Sequence, residues 1–236
     1  NNFIINLKRM LLSNILIFAI QIEHGNFNVK YVEKEFGNDS DIKGIEFVSD
    51  DGTAVSLSGK KDSLDTSEED YKVYLKVIDY KTGNKKFDLS DVDKGLNLQL
   101  IIYLKVLMEY MKDKKVIPSG IFISTMQTEM KKDEEIKLSD NKYTGLVLDD
   151  EDSLMYLDKD YRDSKIIPVK INNDGSYSSN TLKNIVTQEK LEEIINIALD
   201  RIKDVSDSIL KGIMDVNPIE YEKVSPCSYC KYKTIC

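Results

Sequence analysis

A chain of 236 residues with 41% hydrophobic and 31% charged side chains is long enough to bury a sizeable core. Its composition is too ordinary for a disordered tract or a small disulfide scaffold. The formal net charge of −8 excludes an all-over basic surface, so any nucleic-acid site has to be a local one.

The chain opens on Asn1 rather than Met, which suggests an internal or processed piece of something longer. Residues 8–20, KRMLLSNILIFAI, have the basic start and apolar run of a signal peptide. The run is too short to span a bilayer, is interrupted by Ser13 and Asn14, and is followed by no small-residue cleavage site. A core-packed helix from about Leu7 to about Glu23, stopping near His24 and Gly25, is the expectation. No membrane partner is expected. With no secretory signal, the three cysteines fit a reducing compartment, where ligation of a metal or cluster is commoner than a structural disulfide, and a cytoplasmic location follows.

KYVEKEFG alternates as a strand does, and GIEFVSD with TAVSLSGKKDSLD around an Asp-Asp-Gly turn at 50–52 reads as a hairpin. The acidic stretch DTSEED is expected to be the loop joining that strand to YKVYLKVIDYK, which makes the two strands antiparallel neighbours. A helix follows in SDVDKGLNLQLIIYLKVLMEYMK, with Ser90 and Asp93 as a capping pair and a stripe of Leu96, Leu100, Tyr103, Leu104, Leu107 and Met111. VIPSGIFIST is a buried strand with Pro118 at its edge. Residues 127–180 are polar and broken, with KYTGLVLDD and KIIPVKI as short strand candidates. Leu191, Ile195, Ala198, Ile202, Val205 and Ile209 carry a last helix over about Gln188 to Lys211, stopped by Gly212.

The chemistry concentrates where an apolar strand ends in Asp79-Tyr80-Lys81. Alternation along a strand projects Asp79 and Lys81 side by side and Tyr80 to the opposite face. Asp62, on the neighbouring strand, can lie near Asp79. Two carboxylates that close repel unless a cation sits between them. Magnesium or manganese suits such an all-oxygen site, with the Tyr80 carbonyl as a further ligand and the Lys81 ammonium stabilising developing charge. Taken singly, the same residues read more simply as an exposed ion pair and a turn aspartate.

The order G-x-x-D, then an apolar strand ending D-Y-K, then a helix bearing Q-L-x-x-Y-L resembles the PD-(D/E)XK nuclease superfamily in its RecB-like branch. The resemblance places Asp62 at the first metal-binding Asp, Asp79 and Lys81 at the (D/E)XK pair, and Gln99 with Tyr103 at the following QxxxY helix motif. It implies a restriction-endonuclease-like α/β fold, a mixed central sheet flanked by helices, that hydrolyses DNA with divalent metal.

The tail holds Cys227, Cys230 and Cys236 in a C-x2-C-x5-C spacing, one thiolate short of the four an iron–sulfur cluster takes. A zinc knuckle or plain buried thiols also fit that spacing. Together with GKKDSLD, VIDYKTG, GLNLQLIIYL and TGLVLDD, the tail is similar to the C-terminal nuclease domain of the AddB (RexB) family. That resemblance implies a [4Fe-4S] cluster whose fourth cysteine lies upstream, outside this chain, and an AddA-type helicase-nuclease partner in recombinational repair of double-strand breaks. It divides the chain into a nuclease domain over 1–223 and a cysteine-bearing tail over 224–236. A catalytically weak scaffold that docks the helicase and holds the cluster is the alternative.

Two features depart from the family pattern. GKKDSLD stands where the family reads GxIDRID, so Lys61 replaces an apolar residue and Ser63 an arginine, which puts strand packing and a phosphate contact in doubt. The metal-binding histidine of RecB-like helices is not visible: His24 is expected to be a capping or surface residue. Glu33, on the strand where the family carries an acid, is an upstream metal-ligand candidate and equally an exposed strand residue.

Overall fold

The computed structural model describes residues 2–82, 85–126, 141–215, 226–228 and 230–234. Six strands form one mixed sheet in the order β1-β4-β5-β6-β7-β8: β1 Asn28–Phe36, β4 Gly59–Glu69, β5 Lys72–Thr82, β6 Lys115–Met126, β7 Thr144–Leu148 and β8 Ile185–Val186. A separate hairpin pairs β2 Glu46–Val48 with β3 Ala54–Ser56 around the expected turn. Helices α2 Leu98–Tyr110 and α4 Gln188–Leu210 cover one face of the sheet, and α1 Asn2–His24 and α3 Glu151–Leu157 lie on the other. This is the α/β fold with a mixed sheet flanked by helices that the family resemblance implied.

Strand β5 is central because it can be buried on both sides. Val73, Leu75 and Val77 enter the core under α2 and α4, while Tyr74 and Ile78 enter the opposite one with Phe122 and Tyr143. It pairs antiparallel with β4 and parallel with β6.

The acidic stretch DTSEED is not a loop. Residues Asp65 to Glu69 pair with Lys76 to Lys72, and the connection shrinks to Asp70 and Tyr71, with Asp70 at φ 51°. An aspartate tolerates that left-handed turn position, and the side chains of residues 65–67 are buried by the ladder rather than left to water.

Helix α2 starts at Leu98, well after the proposed capping pair. Asp88 accepts from the Ser90 N–H at 2.9 Å and closes a separate 3-10 turn over Leu89–Asp91. Gly95 at φ 80° and Asn97 at φ 55° then break helical continuity before the helix begins.

Pro118 lies inside β6, not at its edge. The register slips there, with Leu75 opposite Pro118 and Lys76 opposite Gly120, so the missing N–H falls at a bulge. KIIPVKI buries Ile166, Ile167 and Val169 but is not a strand. The Ser164 hydroxyl accepts from the N–H groups of Ile166 and Ile167 at 3.0 and 2.9 Å, which satisfies the backbone without a ladder. Helix α3 was hidden in the acidic run EDSLMYL, where Asp150 caps the Ser153 N–H at 2.8 Å. Strand β7 appears within KYTGLVLDD as expected; Gly145, at φ 155°, has no room for a side chain because a Cβ would stand 1.9 Å from the Ile121 carbonyl oxygen.

Helix α1 ends where expected but begins at Asn2, well before Leu7, and its packing is not the expected one. Asn14, Ile17 and Gln21 face the protein, whereas Leu11, Leu12, Ile15, Leu16 and Ile22 are exposed. By length and composition α1 is apolar enough to cross a membrane.

Candidate active site

The site forms where β4 and β5 part. Their regular pairing ends at Ser63 opposite Ile78, so the next rung would set Asp62 against Asp79. In its place the Asp62 side chain accepts a hydrogen bond from the Tyr80 N–H at 3.1 Å. One carboxylate is thereby fixed at the fork, and the strand ends are free to open around it. Asp79 is almost wholly buried, with its side chain 5% exposed, and Lys81 places its Nζ 2.9 and 3.0 Å from the two Asp79 oxygens. An ammonium is thus held against a carboxylate at the end of the central strand, as alternation along β5 predicted.

The Q-L-x-x-Y motif reaches the same place from α2. Tyr103 donates to the Lys60 carbonyl at 2.5 Å, two residues before Asp62, and Gln99 donates to the Tyr103 hydroxyl at 2.7 Å. Gln99 is exposed and Tyr103 is buried. The tyrosine therefore anchors β4 on the helix, and the glutamine joins the site through it. Gly59 makes the approach possible: a Cβ there would lie 2.9 Å from two carbons of the Phe36 ring and 3.5 Å from the Tyr103 ring.

Glu33 occupies the β1 position across from Asp62, between the rungs Val32 to Ser63 and Lys34 to Lys61. Its backbone is left-handed, with φ 55°, an uncommon and costly state for a glutamate inside a strand. Its carboxylate pairs with Lys60, whose ammonium is held above the usual lysine range first by that hydrogen bond and further by the nearby charges of Glu33, Glu35 and Asp62. Lys60 and Lys81 are thus two cationic groups beside the aspartates of an otherwise acidic chain. Lys60 was missed from the sequence; its signal was its position two residues before Asp62, on the same strand.

The reverse face of the same two strands holds a second acid and lysine. Asp65 and Lys76 pair at 2.9 Å with both side chains under 9% exposed, and Ser63 donates to Asp65 at 2.7 Å. Position 63, 2% exposed, therefore faces away from Asp62 and Asp79, so a longer side chain there would point to the back of the sheet rather than toward those carboxylates. Tyr80 lies on this side, edge-on to Phe18 of α1. Its hydroxyl is pushed up to about 12, chiefly by burial and then by the Asp65 charge.

His24 ends α1 with Nδ1 3.4 Å from Asp158 and 3.5 Å from Asp160. Among the described residues this is the group of histidine and carboxylates spaced to hold a metal ion. Asp158 also accepts from the Asp160 N–H at 2.9 Å and from Ser164 at 2.5 Å. A helix-end contact explains the arrangement, and His24 stands outside the Asp62 and Asp79 site.

In the tail, Cys227 and Cys230 are half-buried, not joined in a disulfide, and span a short turn in which the Cys230 N–H donates to the Cys227 carbonyl at 3.3 Å. The Cys230 sulfur accepts from the Tyr232 N–H at 3.4 Å. Cys236 lies outside the described residues.

A mixed sheet whose central strand ends in D-Y-K, with an aspartate from the adjacent strand and a Q-x-x-x-Y helix locking it, defines a nuclease of the restriction-endonuclease class. The chain belongs to the PD-(D/E)XK nuclease superfamily, which it matches over residues 5–236. Among curated proteins it is similar to the B subunit of the ATP-dependent helicase/deoxyribonuclease of Clostridium acetobutylicum, with 32% identity over 98% of this chain and 21% of that protein. The protein of the same name from Clostridium kluyveri is 32% identical over the same shares, and that from Clostridioides difficile is 31% identical. The chain spans about a fifth of the length of the curated relatives it matches.

Proposed function

We propose that this chain is the metal-dependent DNA nuclease domain of a helicase-nuclease that acts in repair of double-strand breaks by recombination. The observation that carries the reading is the fork at β4 and β5, which sets Asp62 across from Asp79 and Lys81. The carboxylates of Asp62 and Asp79 and the Tyr80 carbonyl are hard oxygen donors that fit Mg²⁺ or Mn²⁺. Such a cation would lower the pKa of the attacking water and screen the charge on the phosphate. Lys81, already beside Asp79, stabilises the negative charge that builds on the phosphate oxygens as the new P–O bond forms and the old one breaks. Tyr103 keeps β4 in place through the Lys60 carbonyl, and Gln99 and Lys60 face the strand being cut. Local cations at the site, rather than overall charge, draw in DNA.

Support for an iron–sulfur staple comes from the tail. A Cys-x2-Cys turn with a backbone N–H directed at the second sulfur suits thiolate ligation, because the donor stabilises the anionic sulfur. Cys227, Cys230 and Cys236 would supply three ligands and a cysteine elsewhere the fourth. An AddA-type helicase is the partner this reading names, and the cytoplasm its location.

The test is cleavage of end-labelled single-stranded DNA by the purified protein in Mg²⁺. Wild type cuts, chelator stops it, and Asp79→Ala abolishes it with an unchanged circular dichroism spectrum. Cutting by Asp79→Ala at the wild-type rate would place the chemistry elsewhere. Wild type that neither cuts nor binds Mn²⁺ by calorimetry would make the domain a scaffold for its partner.

A further inference from the structure

The amphipathicity of α1 is inverted. Its inward stripe is the more polar one: Gln21 donates to the Asn141 carbonyl at 3.2 Å, Asn141 donates to Asn14 at 3.2 Å, and Tyr143 donates to Gln21 at 3.0 Å. All four residues are at most 5% exposed. The outward stripe is apolar, with Leu12 at 60%, Ile15 at 59% and Leu16 at 52% exposure, continued by Ile4, Leu11 and Ile22. A stripe of this extent along most of a 23-residue helix exceeds the scattered hydrophobics of an ordinary surface.

We propose that the outer face of α1 is a docking face covered by an apolar protein surface from another part of a longer helicase-nuclease polypeptide. The proposal rests on the functional reading above. The relatives matched here carry about four fifths of their length outside the matched region, which is ample chain to supply the cover. Insertion into a bilayer fits poorly. Withdrawing α1 from the sheet would leave Asn14, Gln21, Asn141 and Tyr143 without their buried partners, and hydrocarbon supplies none. The cover also bears on the site. Phe18 of α1 packs edge-on against Tyr80 with ring centroids 5.3 Å apart, so clamping α1 steadies the residue between Asp79 and Lys81.

Hydrogen exchange of α1 amides, read by mass spectrometry, tests this in the 236-residue chain and in the complete polypeptide that carries it. Exchange is expected to slow by roughly tenfold or more in the complete polypeptide. The triple change Leu12→Glu, Ile15→Glu and Leu16→Glu should remove that protection. In the shorter chain the same change should reduce binding of a hydrophobic dye severalfold and leave Mg²⁺-dependent cleavage intact. Equal exchange in the two wild-type proteins overturns the proposal even if the variant misfolds. A dimer of the short chain that the triple change dissociates, with no added protection in the complete polypeptide, points to a second copy instead. Co-sedimentation with phosphatidylcholine vesicles that the triple change abolishes points to a membrane. Loss of cleavage in Asp79→Ala is independent of all these outcomes, so failure of the docking face and failure of the nuclease reading are distinguishable.

Discussion

Strands β4 and β5 carry an aspartate and a lysine on each of their two faces, and the two pairs do opposite things. Asp79 and Lys81 stand next to each other on one strand at its open end, with the lysine 30% exposed. Asp65 and Lys76 face each other across two strands, both under 9% exposed, with Ser63 completing the acid's hydrogen bonds. The same chemical groups at nearly the same distance make a candidate site in one case and a structural clasp in the other. The difference lies in whether the ladder closes over them. At Asp65 the rungs continue on both sides; at Asp62 the ladder gives way to a side-chain hydrogen bond.

Substitution should separate the two faces. Asp79→Asn keeps the shape and removes the charge, so cleavage of single-stranded DNA is expected to fall on the order of 10³-fold or more. The melting temperature should move by no more than a few degrees. A large loss of stability with residual activity would mean that Asp79 is the clasp.

On the reverse face, Asp65→Ala strands the Lys76 ammonium in the core and is expected to cost about 3–5 kcal/mol in a urea titration. Removing both charges together, Asp65→Leu with Lys76→Met, should recover most of that cost. Should the single change cost under about 1 kcal/mol, the pair is reached by water and the contrast between the faces fails.

Between the two lies Tyr103, which belongs to the core and touches the site's strand. Tyr103→Phe keeps the edge-on packing against Phe36 and loses the bond to the Lys60 carbonyl. A loss of about 1 kcal/mol in stability is expected, with a fall in kcat larger than the change in KM, because Asp62 is less well placed. An effect on KM alone would assign the tyrosine to DNA binding.

The smallest effect is on the alkaline limb. The Tyr80 hydroxyl, and that of Tyr74, are both pushed up to about 12 from the ordinary 10, mainly by burial. A raised folded-state pKa favours the native state fully below pH 10, and that contribution fades as pH rises from 10 to 12. Urea midpoints should decline across that window, and Tyr80→Phe should flatten the decline. An unchanged slope would show that the Tyr80 hydroxyl is open to water.

Much of the site was legible because it is local or periodic. D-Y-K at the end of an apolar run needs only alternation to set Asp79 beside Lys81, and Q-L-x-x-Y needs only a helical turn to set Gln99 beside Tyr103. Asp62 can be brought near Asp79 by treating the strands as neighbours, although the chain makes a long hairpin with a two-residue turn where its acidic composition points to a loop. What stayed hidden depends on partners distant in sequence. DTSEED looks like a solvated acidic loop until β5 pairs with it. Ser63 looks like a lost phosphate contact until the pleat turns it to the back of the sheet. SDVDKGLNL looks like a capped helix until Asp88 takes Ser90 for a turn of its own.

By itself the sequence determined the residue types of the site, their spacing, the central strand and the two long helices flanking the motifs, because hydrophobic periodicity and neighbouring side chains are local properties of the chain. Only the tertiary structure decided which face each residue serves. It opened the fork at Asp62, bent Glu33 into a left-handed conformation across from it, buried Asp65 with Lys76, and turned the apolar side of α1 outward. Each of those outcomes is set by strand register and by competition for buried hydrogen-bond partners between segments far apart in the chain.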